Sequence, residues 1–470
     1  MRRVVIVGAG IGGLATAYAL ARNAAHQDFA IELTVLDAAS RPGGRIRTTR
    51  QDGWAIEWAA NAIQGADGAA WRIAEELGLA DERILARPDA ARRYIARGGR
   101  LHLLPLDPVS FLRFGALSPA GRLRVLLEPF VARRVATDES VHDYAARHIG
   151  EEAATALIGS VVRGVFAGDA RRLSLDAAFP LMRDMERKHR SLVVAMIAAG
   201  KAARARGAKA PGMSAAAGPG RRALWTLRGG METLVDALAK PLGPALRLRA
   251  HALGIDRRDG GGYSVRLASG ESMVADAVVL ASAPRTTASI LRALAPEAAR
   301  DLDSIPSAGL NVVALGFQRD AFRGTPDGYG FLAAPGAAPE HELNILGALF
   351  ESNLFPGRAP DDHVLVRVMV GGAERPDLVT KRDDELVALS MKALDRMVGL
   401  NRGPERTWII RQEDSIPQYQ VGHRALIGRI AKQLDATPGI HLTGNGFRGV
   451  SVGALLEDAE RVAERILSAC

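Results

Sequence analysis

The pattern of hydrophobic and polar positions changes at the start of the chain from strand to helix and back to strand. Residues 4–7 are a continuous apolar run that ends in a glycine-rich turn. Residues 11–25 are rich in Ala and Leu and favour a helix, and residues 31–38 predict a second strand. A strand, a helix and a strand in succession indicate a parallel sheet with helices on its faces. The predicted fold class is therefore α/β at this end of the chain.

The rest of the chain divides into a helical middle and a strand-rich remainder. Residues 67–85 and about 107–200 have apolar positions three to four apart and favour helices. Residues 200–222 are basic and rich in Gly, Pro and Ala, which predicts a flexible loop. The patterns beyond this loop predict a hairpin at 246–267, strands at 275–284, 311–317, 345–350 and 364–371, a helix at 383–399, a strand and glycine loop at 440–449, and an amphipathic helix at 452–468.

Charge and composition exclude some classes of protein. The net charge of the 470-residue chain is +9, and only seven of its 61 cations are lysine. An arginine-rich solvated surface explains this charge, and so does attraction to anionic lipid or acidic substrates. Nucleic-acid binding is disfavoured because aromatic residues make up only 5% of the chain and no basic stretch is interleaved with them.

The compartment is predicted from the single cysteine and from the apolar runs. One cysteine, Cys470, permits no intrachain disulfide, which fits a reducing compartment. The longest mainly apolar runs, such as 192–200, reach about half of the roughly 18–20 residues that span a bilayer. The first residues lack the apolar stretch of a signal peptide. We predict a cytoplasmic protein, with peripheral association at the inner face of the cell membrane as an additional expectation.

A glycine motif at the first strand-to-helix turn carries the first candidate chemistry. Gly8-x-Gly10-x-x-Gly13 follows a strand and opens a helix. Such glycines allow a tight turn, a close approach of the backbone to a pyrophosphate, and close helix packing. Asp37 ends the second strand, where an acidic side chain accepts hydrogen bonds from a ribose hydroxyl. The alternative is a glycine-rich turn with no ligand.

A second glycine pair follows closely, in the sequence RPGGRIRT at 41–48. Gly43 and Gly44 would lie beside the same cofactor, with Arg45 as a partner for its phosphates. The alternative is an ordinary loop whose glycines only permit a turn.

Together these residues resemble the FAD-binding start of the flavin amine oxidase superfamily. Five further segments resemble the protoporphyrinogen oxidase family, and they extend the resemblance over nearly the whole chain: 163–180, 189–192, 353–373, 416–423 and 443–452. The resemblance implies a flavoenzyme that removes six electrons from a porphyrinogen in two-electron steps. It also implies that dioxygen reoxidises the flavin and gives hydrogen peroxide.

The resemblance implies three domains. They are a discontinuous Rossmann-like FAD-binding domain, a mixed-sheet substrate-binding domain and an inserted helical, membrane-associating domain, so that the overall class is α+β. The predicted bounds are 1–88, 223–300 and 405–470 for the FAD domain, 89–210 for the helical domain, 301–404 for the substrate domain and 200–222 for the flexible loop.

Site residues follow from the resemblance position by position. Asn61 is placed near the flavin ring, where it polarises or hydrogen-bonds the reacting part of the macrocycle. Arg93 is placed at the substrate propionates, and Tyr329 and Met369 are placed against the substrate rings; a surface arginine and plain core packing are the respective alternatives. No metal site is expected. The FAD-binding set comprises Gly8, Ala9, Gly10, Ile11, Gly12, Gly13, Asp37, Ala38, Gly43, Gly44, Arg45, Ala59, Ala60, Asn61, Ala62, Ala252, Gly444, Asn445, Val450, Ser451 and Val452.

Two departures from the family pattern keep alternatives open. Ala59-Ala60 stands where the family has Gly-Pro, and Gly453-Ala454 stands where it has Asn-Asp. The leading hypothesis is protoporphyrinogen IX oxidation, and the first alternative is coproporphyrinogen III, which carries two more carboxylates. The second alternative is a flavin-binding relative with little or no turnover. A homodimer is a further expectation.

Overall fold

The computed structural model describes most of the chain, and its helices alternate with strands except in one central region. The described residues are 1–65, 68–105, 107–131, 137–189, 191–195, 198, 224–324, 326–336 and 342–468, so the predicted loop at 200–222 lies outside them. The α-helices are α1 (Ile11–His26), α2 (Ala69–Glu76), α3 (Pro108–Leu112), α4 (Pro119–Leu126), α5 (Glu128–Val131), α6 (Val141–Ile149), α7 (Glu151–Ala153), α8 (Ser160–Phe166), α9 (Leu175–Ala178), α10 (Pro180–His189), α11 (Glu232–Ala239), α12 (Pro284–Leu291), α13 (Pro296–Asp303), α14 (Glu351–Leu354), α15 (Asp383–Val398), α16 (His423–Leu434) and α17 (Val452–Ser468).

A five-stranded parallel sheet forms the first layer. Its strands come from distant parts of the chain: β1 (Arg2–Val7), β2 (Ile31–Leu36), β10 (Leu246–Arg247), β14 (Ala277–Leu280) and β20 (Ile440–Leu442). The hydrogen-bonded order is β10–β2–β1–β14–β20. One face of the sheet packs against α1, α2, α11 and α17. The predicted βαβ start is confirmed, and the sheet is completed only by strands from the second half of the chain.

The other face of the parallel sheet is covered by a small antiparallel sheet and by α12, α13 and α16. The small sheet is a meander of β11 (Ala252–Arg257), β12 (Tyr263–Leu267) and β13 (Ser272–Ala275). Its first turn contains Gly261 and Gly262, both with positive φ. This confirms the predicted hairpin. Two smaller antiparallel sheets complete this part of the fold: β3 (Thr48–Gln51) with β4 (Trp54–Glu57), and β5 (Ile63–Gln64) and β6 (Arg83–Leu85) on either side of β9 (Leu224–Leu227).

A seven-stranded mixed sheet forms the second large unit. Its strands are β7 (Arg93–Arg97), β8 (Arg100–Leu103), β15 (Ser307–Gln318), β16 (Gly330–Ala333), β17 (Gly347–Phe350), β18 (His363–Gly371) and β19 (Arg406–Pro417). The order is β19–β15–β18–β17–β16–β7–β8, with only the β16–β7 pair parallel. One face packs on α15, and the other faces the parallel-sheet unit through Trp54 and Ile56 of β4.

The sheet contains segments that the sequence analysis assigns to other domains or to a helix. Residues 93–103, assigned to the helical domain, form the β7–β8 hairpin at one edge, and residues 406–417, assigned to the FAD domain, form the opposite edge. Each pairs with strands distant in sequence, which a local pattern cannot show. Residues 83–85, within the predicted helix 67–85, form β6 instead. The domain bounds stay a prediction, although residues 93–103 and 406–417 pair into the same sheet as residues 307–371. The predicted helix 67–85 is wrong at its last three residues.

Helices α3 to α10 form the central helical region. A π-helical turn, Ala154–Gly159, joins α7 to α8. Two apolar clusters hold the region together, one around Phe111 and Phe114 and one around Phe166 and Tyr419. In the part of the chain that the structure describes, no helix combines the length and the apolar character needed to cross a bilayer.

Candidate functional site

The turn between β1 and α1 requires glycine at two of its three motif positions. Gly8 has φ +109°, and a Cβ there would lie 3.0 Å from the carbonyl carbon and oxygen of Ala281. A Cβ on Gly13 would lie 1.9 Å from the carbonyl oxygen of Gly8. Both positions therefore exclude a side chain because β1, α1 and the loop after β14 approach so closely.

Gly10 differs, because no described atom lies within 4 Å of a Cβ built on it. It is the N-cap of α1 in extended backbone, with φ −68° and ψ 173°. The first N–H groups of a helix have no intrahelical acceptor and attract an anion. The open space beside Gly10 and these N–H groups together fit the pyrophosphate of a dinucleotide.

The RPGG loop lies directly against this turn. The Gly43 N–H donates to the Ala9 carbonyl at 2.7 Å, and Gly43 forms a parallel bridge with Gly10. Gly43 and Gly44 have φ +100° and +57°. The Arg41 guanidinium donates to the carbonyls of Pro42, Gly44 and Ile46 at 3.0–3.1 Å. Arg41 therefore stabilises the loop through hydrogen bonds to its carbonyl groups. The sequence analysis did not assign this role.

Arg45 lies in the same loop, and its side chain turns toward β19. It donates to Gln412 Oε1 at 3.0 Å and to the carbonyls of Glu413 and Asp414 at 3.0 and 2.8 Å. These contacts anchor the glycine loop to the seven-stranded sheet. The phosphate-partner role of Arg45 stays a prediction.

Asp37 connects three loops at the end of the parallel sheet. Its carboxylate accepts from the N–H groups of Ala9 at 2.6 Å and Ala39 at 2.8 Å. Its carbonyl accepts from the Ala250 N–H at 2.8 Å, two residues before Ala252 in β11. A carboxylate has about four acceptor positions, so Asp37 keeps acceptor capacity for a ribose hydroxyl. The exposed Ala38 lies beside it.

The C-terminal glycine loop approaches the beginning of α1. A Cβ on Gly12 would lie 3.5 Å from the Cα of Gly444, which has φ +119°. Val450, Ser451 and Val452 follow at the start of α17. The fingerprint turn, the RPGG loop, the Asp37 loop and the C-terminal loop therefore meet at one end of the parallel sheet, where a dinucleotide fits.

Tyr419 anchors the C-terminal loop. Its hydroxyl donates to the Asn445 carbonyl at 2.6 Å and accepts from the Gly449 N–H at 2.9 Å. The His423 ring stacks on the Tyr419 ring, with centroids 4.1 Å apart. Burial lowers the pKa of His423 to about 4, so the ring is neutral near pH 7. A neutral ring stacks here without placing a buried charge next to the loop.

The predicted substrate residues form a second group at the edge of the seven-stranded sheet. The Arg93 guanidinium lies 4.9 Å from the centre of the Tyr329 ring. Burial raises the pKa of the Tyr329 hydroxyl, which is opposed by the Arg93 charge and by a hydrogen bond with the Asn61 side chain. Arg93, Tyr329 and Asn61 are all partly exposed, which is typical of side chains that line a cleft.

A buried ion pair joins this group to the segment Ala59–Asn61. Arg367 Nη1 donates to Glu351 Oε1 at 2.7 Å, and the two side chains are 3% and 1% exposed. Asn61 Nδ2 donates to the same Glu351 oxygen at 3.0 Å, and Arg367 Nη2 donates to the Ala59 carbonyl at 2.9 Å. Met369 lies two residues after Arg367 on β18, so alternation places it on the same face of the sheet.

A second buried pair, Glu57–Arg358, lies close behind. Arg358 Nη1 is 3.1 Å from Glu57 Oε1, and the side chains are 2% and 1% exposed. Glu57 also accepts from the Met231 N–H at 3.0 Å and from Thr48 Oγ1 at 2.9 Å. Burial raises the pKa of Glu57 to about 7 despite the Arg358 charge. The carboxyl therefore titrates near neutral pH.

Sequence reasoning missed both buried pairs. For the Glu351–Arg367 pair, the available signal was an isolated charge beside or within an apolar run. Glu351 follows GALF, and Arg367 lies within HVLVRVMV. Such an isolated charge indicates a buried pair, but its partner cannot be identified from one sequence. Among the described residues, no group of three or more His, Cys, Asp or Glu side chains is arranged to hold a metal ion.

Comparison with known proteins agrees with this geometry. The family model described as flavin containing amine oxidoreductase matches residues 11–467. The coproporphyrinogen III oxidase of Propionibacterium freudenreichii subsp. freudenreichii is 32% identical, over 99% of this chain and 91% of that protein. The protoporphyrinogen oxidase of Bos taurus is 31% identical, over 99% of this chain and 98% of that protein.

A solved structure gives the same result. The crystal structure of a protein from Exiguobacterium sp. 255-15, provisionally assigned as a protoporphyrinogen oxidase, matches with a TM-score of 0.82 and 25% identity, over 100% of this chain and 99% of that one. The Rossmann-like fold, the loops that meet around Gly10 and the match to the family model over residues 11–467 lead to one conclusion: the chain belongs to the flavin-containing amine oxidoreductase family and is an FAD-dependent oxidoreductase.

Proposed function

We propose that the protein oxidises protoporphyrinogen IX to protoporphyrin IX, with dioxygen as the final electron acceptor. The observation that carries this proposal is the group of Arg93, Tyr329 and Asn61 beside the segment Ala59–Ala62. A cation and an aromatic ring suit a flat, largely apolar macrocycle with carboxylate substituents. Similar proteins from other organisms are named for protoporphyrinogen and coproporphyrinogen oxidation.

Each two-electron step removes a hydride from a bridging carbon and a proton from the macrocycle. Over three such steps, with one hydrogen shifting from a bridging carbon to a pyrrole nitrogen, the ring loses four bridging-carbon and two N–H hydrogens and becomes aromatic. Bound FAD supplies the hydride acceptor at N5. The residues of the chain hold the macrocycle: Arg93 binds a propionate, Tyr329 and Met369 contact the rings, and Asn61 hydrogen-bonds the reacting part. The cation–π contact at 4.9 Å between Arg93 and Tyr329 keeps the guanidinium at the edge of the cleft.

Two alternatives follow from the same site. Coproporphyrinogen III requires more cations because it carries two more carboxylates. The neighbouring Arg92 is already paired with Asp327 at 2.6 Å, which favours the substrate with fewer carboxylates. A relative with a flavin and little turnover is the other alternative, because the Ala59-Ala60 and Gly453-Ala454 departures lie on the loops of the proposed flavin site.

The test is an assay of the purified protein with both porphyrinogens in air. We expect flavin absorbance near about 450 nm and porphyrin fluorescence that rises faster with protoporphyrinogen IX than with coproporphyrinogen III, together with hydrogen peroxide. A higher kcat/KM for coproporphyrinogen III would select the first alternative. Bound flavin without turnover of either compound would select the second.

Replacing Arg93 with alanine is expected to raise KM for protoporphyrinogen IX by about 10-fold or more, with a smaller change in kcat. Hydrogen bonds to charged groups contribute about 1.5–3 kcal/mol, and this one forms with the substrate before and during the reaction. Steady-state kinetics measures both constants. The matched control is Arg92→Ala, which removes the neighbouring, more exposed cation. An unchanged KM for Arg93→Ala would remove this residue from the substrate site.

We also propose that the protein is cytoplasmic and that its helical region binds peripherally to the inner face of the cell membrane. Seven large apolar side chains on α3, α4, α5 and the residue between α4 and α5 are 41–82% exposed: Val109, Leu112, Leu123, Leu126, Leu127, Phe130 and Val131. Arg113 is exposed in the same region. Apolar side chains beside cations fit insertion among anionic headgroups. Homodimerisation stays a prediction without a structural argument.

The double substitution Leu123→Glu/Phe130→Glu is expected to lower binding to anionic liposomes by about 10-fold or more. Leu123 and Phe130 are 57% and 82% exposed. Burying each of these side chains in lipid contributes about 1.5–3 kcal/mol to binding, and a glutamate at either position removes that contribution. Co-sedimentation at low and high salt measures it, because charge attraction alone is screened by salt. Leu253→Glu, 47% exposed on β11, is the matched control. Equal binding of the double variant and the wild type would contradict the proposal.

A further inference from the structure

The Glu351–Arg367 pair reaches from the seven-stranded sheet to two points of one short segment. Glu351 lies at the first position of α14, directly after β17, and Arg367 lies in the middle of β18. Glu351 contacts the Asn61 side chain at 3.0 Å, and Arg367 contacts the Ala59 carbonyl at 2.9 Å. The two contacts hold the segment Ala59–Asn61 at both ends. We call these two residues the clamp.

The clamp is poorly suited to stabilise the fold. Among the described residues, Glu351 Oε2 and Arg367 Nε are buried and have no hydrogen-bond partner. A buried ion pair recovers its cost of desolvation only when its remaining donors and acceptors are satisfied, and apolar replacements of similar volume are often neutral or stabilising. Stability therefore does not explain why this pair is present.

The contact with Asn61 has a directional consequence. A side-chain amide presents donors at its nitrogen and an acceptor at its oxygen, whereas an ionised carboxylate only accepts. Glu351 Oε1 also accepts from Arg367 Nη1 at 2.7 Å, so this oxygen is the acceptor in both contacts. The NH₂ group of Asn61 must therefore face Glu351, and its carbonyl oxygen is turned to the other side.

We infer that Glu351 and Arg367 are positioning residues that fix the amide of Asn61 so that its oxygen accepts a hydrogen bond from a pyrrole N–H of the substrate. This inference rests on the proposed function. A porphyrinogen carries an N–H on every pyrrole ring, so an acceptor beside the cleft orients the macrocycle for hydride loss at the neighbouring bridging carbon. An amide free to rotate would present a donor to the same N–H for part of the time and would misalign the ring.

The main test replaces the whole clamp with apolar side chains, Glu351→Leu/Arg367→Met. No unpaired charge is left, so we expect a folded protein with its flavin bound. We expect kcat for protoporphyrinogen IX to fall about 10-fold or more while KM changes by less than about 3-fold, because ground-state contacts with Arg93 remain. Ser390→Ala, which removes a buried hydroxyl on α15 of the same sheet unit, is the control and should keep wild-type kinetics.

A cycle with Asn61→Leu separates positioning from a general structural effect. In the Asn61→Leu background the clamp replacement should lower kcat by less than about 2-fold, because the residue that the clamp positions is gone. Equal losses in both backgrounds, or no loss in either, would overturn the inference. If the double variant fails to fold, Glu351→Gln serves instead, since its amide accepts or donates and no longer fixes Asn61. We expect Glu351→Gln to lower kcat about 3-fold or more, and wild-type kcat would overturn the inference.

A readout without substrate keeps this inference separate from the proposed function. The visible circular dichroism of the bound flavin responds to polar groups beside its ring. We expect a changed spectrum in the clamp variant and an unchanged one in Ser390→Ala. Loss of porphyrinogen turnover in the wild type itself would contradict the proposed function, whereas a flavin spectrum identical in wild type and clamp variant would contradict the positioning of Asn61 at the flavin.

Discussion

Replacing Gly10 with valine is expected to give a folded protein that has lost its flavin. Gly10 is in extended backbone, with φ −68° and ψ 173°, and no described atom lies within 4 Å of a Cβ placed there. The Cβ of a valine at this position therefore meets no described atom beyond its chain neighbours, and the backbone conformation is an allowed one. Its methyl groups would instead fill the space in front of the first N–H groups of α1, where we propose that the pyrophosphate of FAD binds.

The expected loss of FAD affinity is at least about 100-fold. Each factor of ten in affinity corresponds to only about 1.4 kcal/mol of binding free energy, so displacing the pyrophosphate from the helix N-terminus is enough to cause it. Flavin absorbance after gel filtration measures retention, and titration of the apoprotein with FAD measures the affinity. The unfolding midpoint of the variant should match that of deflavinated wild type, because a ligand stabilises only the state that it binds. Retention of FAD at wild-type affinity would show that the space beside Gly10 belongs to no phosphate.

Two other glycines make this result interpretable. Gly68 is the N-cap of α2, also in extended backbone with no described atom within 4 Å of a Cβ, so Gly68→Val is a matched control that should keep its flavin. Gly13→Ala should fail in another way, because its Cβ would lie 1.9 Å from the Gly8 carbonyl oxygen and the turn itself cannot form. The three variants separate loss of the ligand from loss of the fold.

The glycine motifs were predictable because their constraint is local. Gly8 and Gly43 have φ of +109° and +100°, conformations that the sequence itself indicates by placing glycine there. The sequence also predicted that Gly43 and Gly44 lie beside the same cofactor as the first turn. The hydrogen bond from Gly43 to Ala9 shows that the two loops are adjacent, and the contact with the cofactor stays a prediction. The direction of the Arg45 side chain toward β19 was not predictable, since its acceptors lie more than 360 residues away.

Contacts between distant parts of the chain also form the seven-stranded sheet and the proposed substrate site, so these too could not be predicted from local patterns. The β7–β8 hairpin has a strand pattern of only a few residues, and its parallel neighbour β16 lies more than 200 residues further along the chain. The convergence of Arg93 and Tyr329 depends on that pairing, because Gly330, next to Tyr329, is in register with Arg93. A resemblance to a family placed both residues at the substrate, but pattern and composition alone could not.

Replacing Arg358 with methionine is expected to lower the free energy of unfolding by about 3–5 kcal/mol at about pH 8.5, because it leaves the Glu57 carboxylate buried and unpaired. Arg358 is 2% exposed and lies 3.1 Å from Glu57 Oε1, so water cannot replace it. Arg266→Met is the matched control: it removes a cross-strand pair with Asp256 at 2.6 Å in which both side chains are 47% exposed. Exposed pairs of this kind contribute about 0–1 kcal/mol.

The pH dependence distinguishes a lost charge partner from lost packing. Burial raises the pKa of folded Glu57 to about 7, above its value in the unfolded chain, so the folded state binds more protons between about pH 4.5 and pH 7 and stability falls as pH rises through this window. Arg358 opposes this shift, and its removal raises the folded pKa further, so the decline continues above pH 7. The cost of Arg358→Met should therefore be less than half as large at about pH 5.5 as at about pH 8.5.

Urea unfolding at both pH values measures this difference, and Glu57→Gln/Arg358→Met supplies the internal control. With no ionisable group at position 57, the double variant should lose the pH dependence and regain most of the stability at about pH 8.5, because an amide and a thioether leave no buried charge. A cost of Arg358→Met that is the same at both pH values would mean that the arginine stabilises the fold through its packing against Phe355, whose ring centre lies 5.8 Å from the guanidinium carbon, rather than through Glu57.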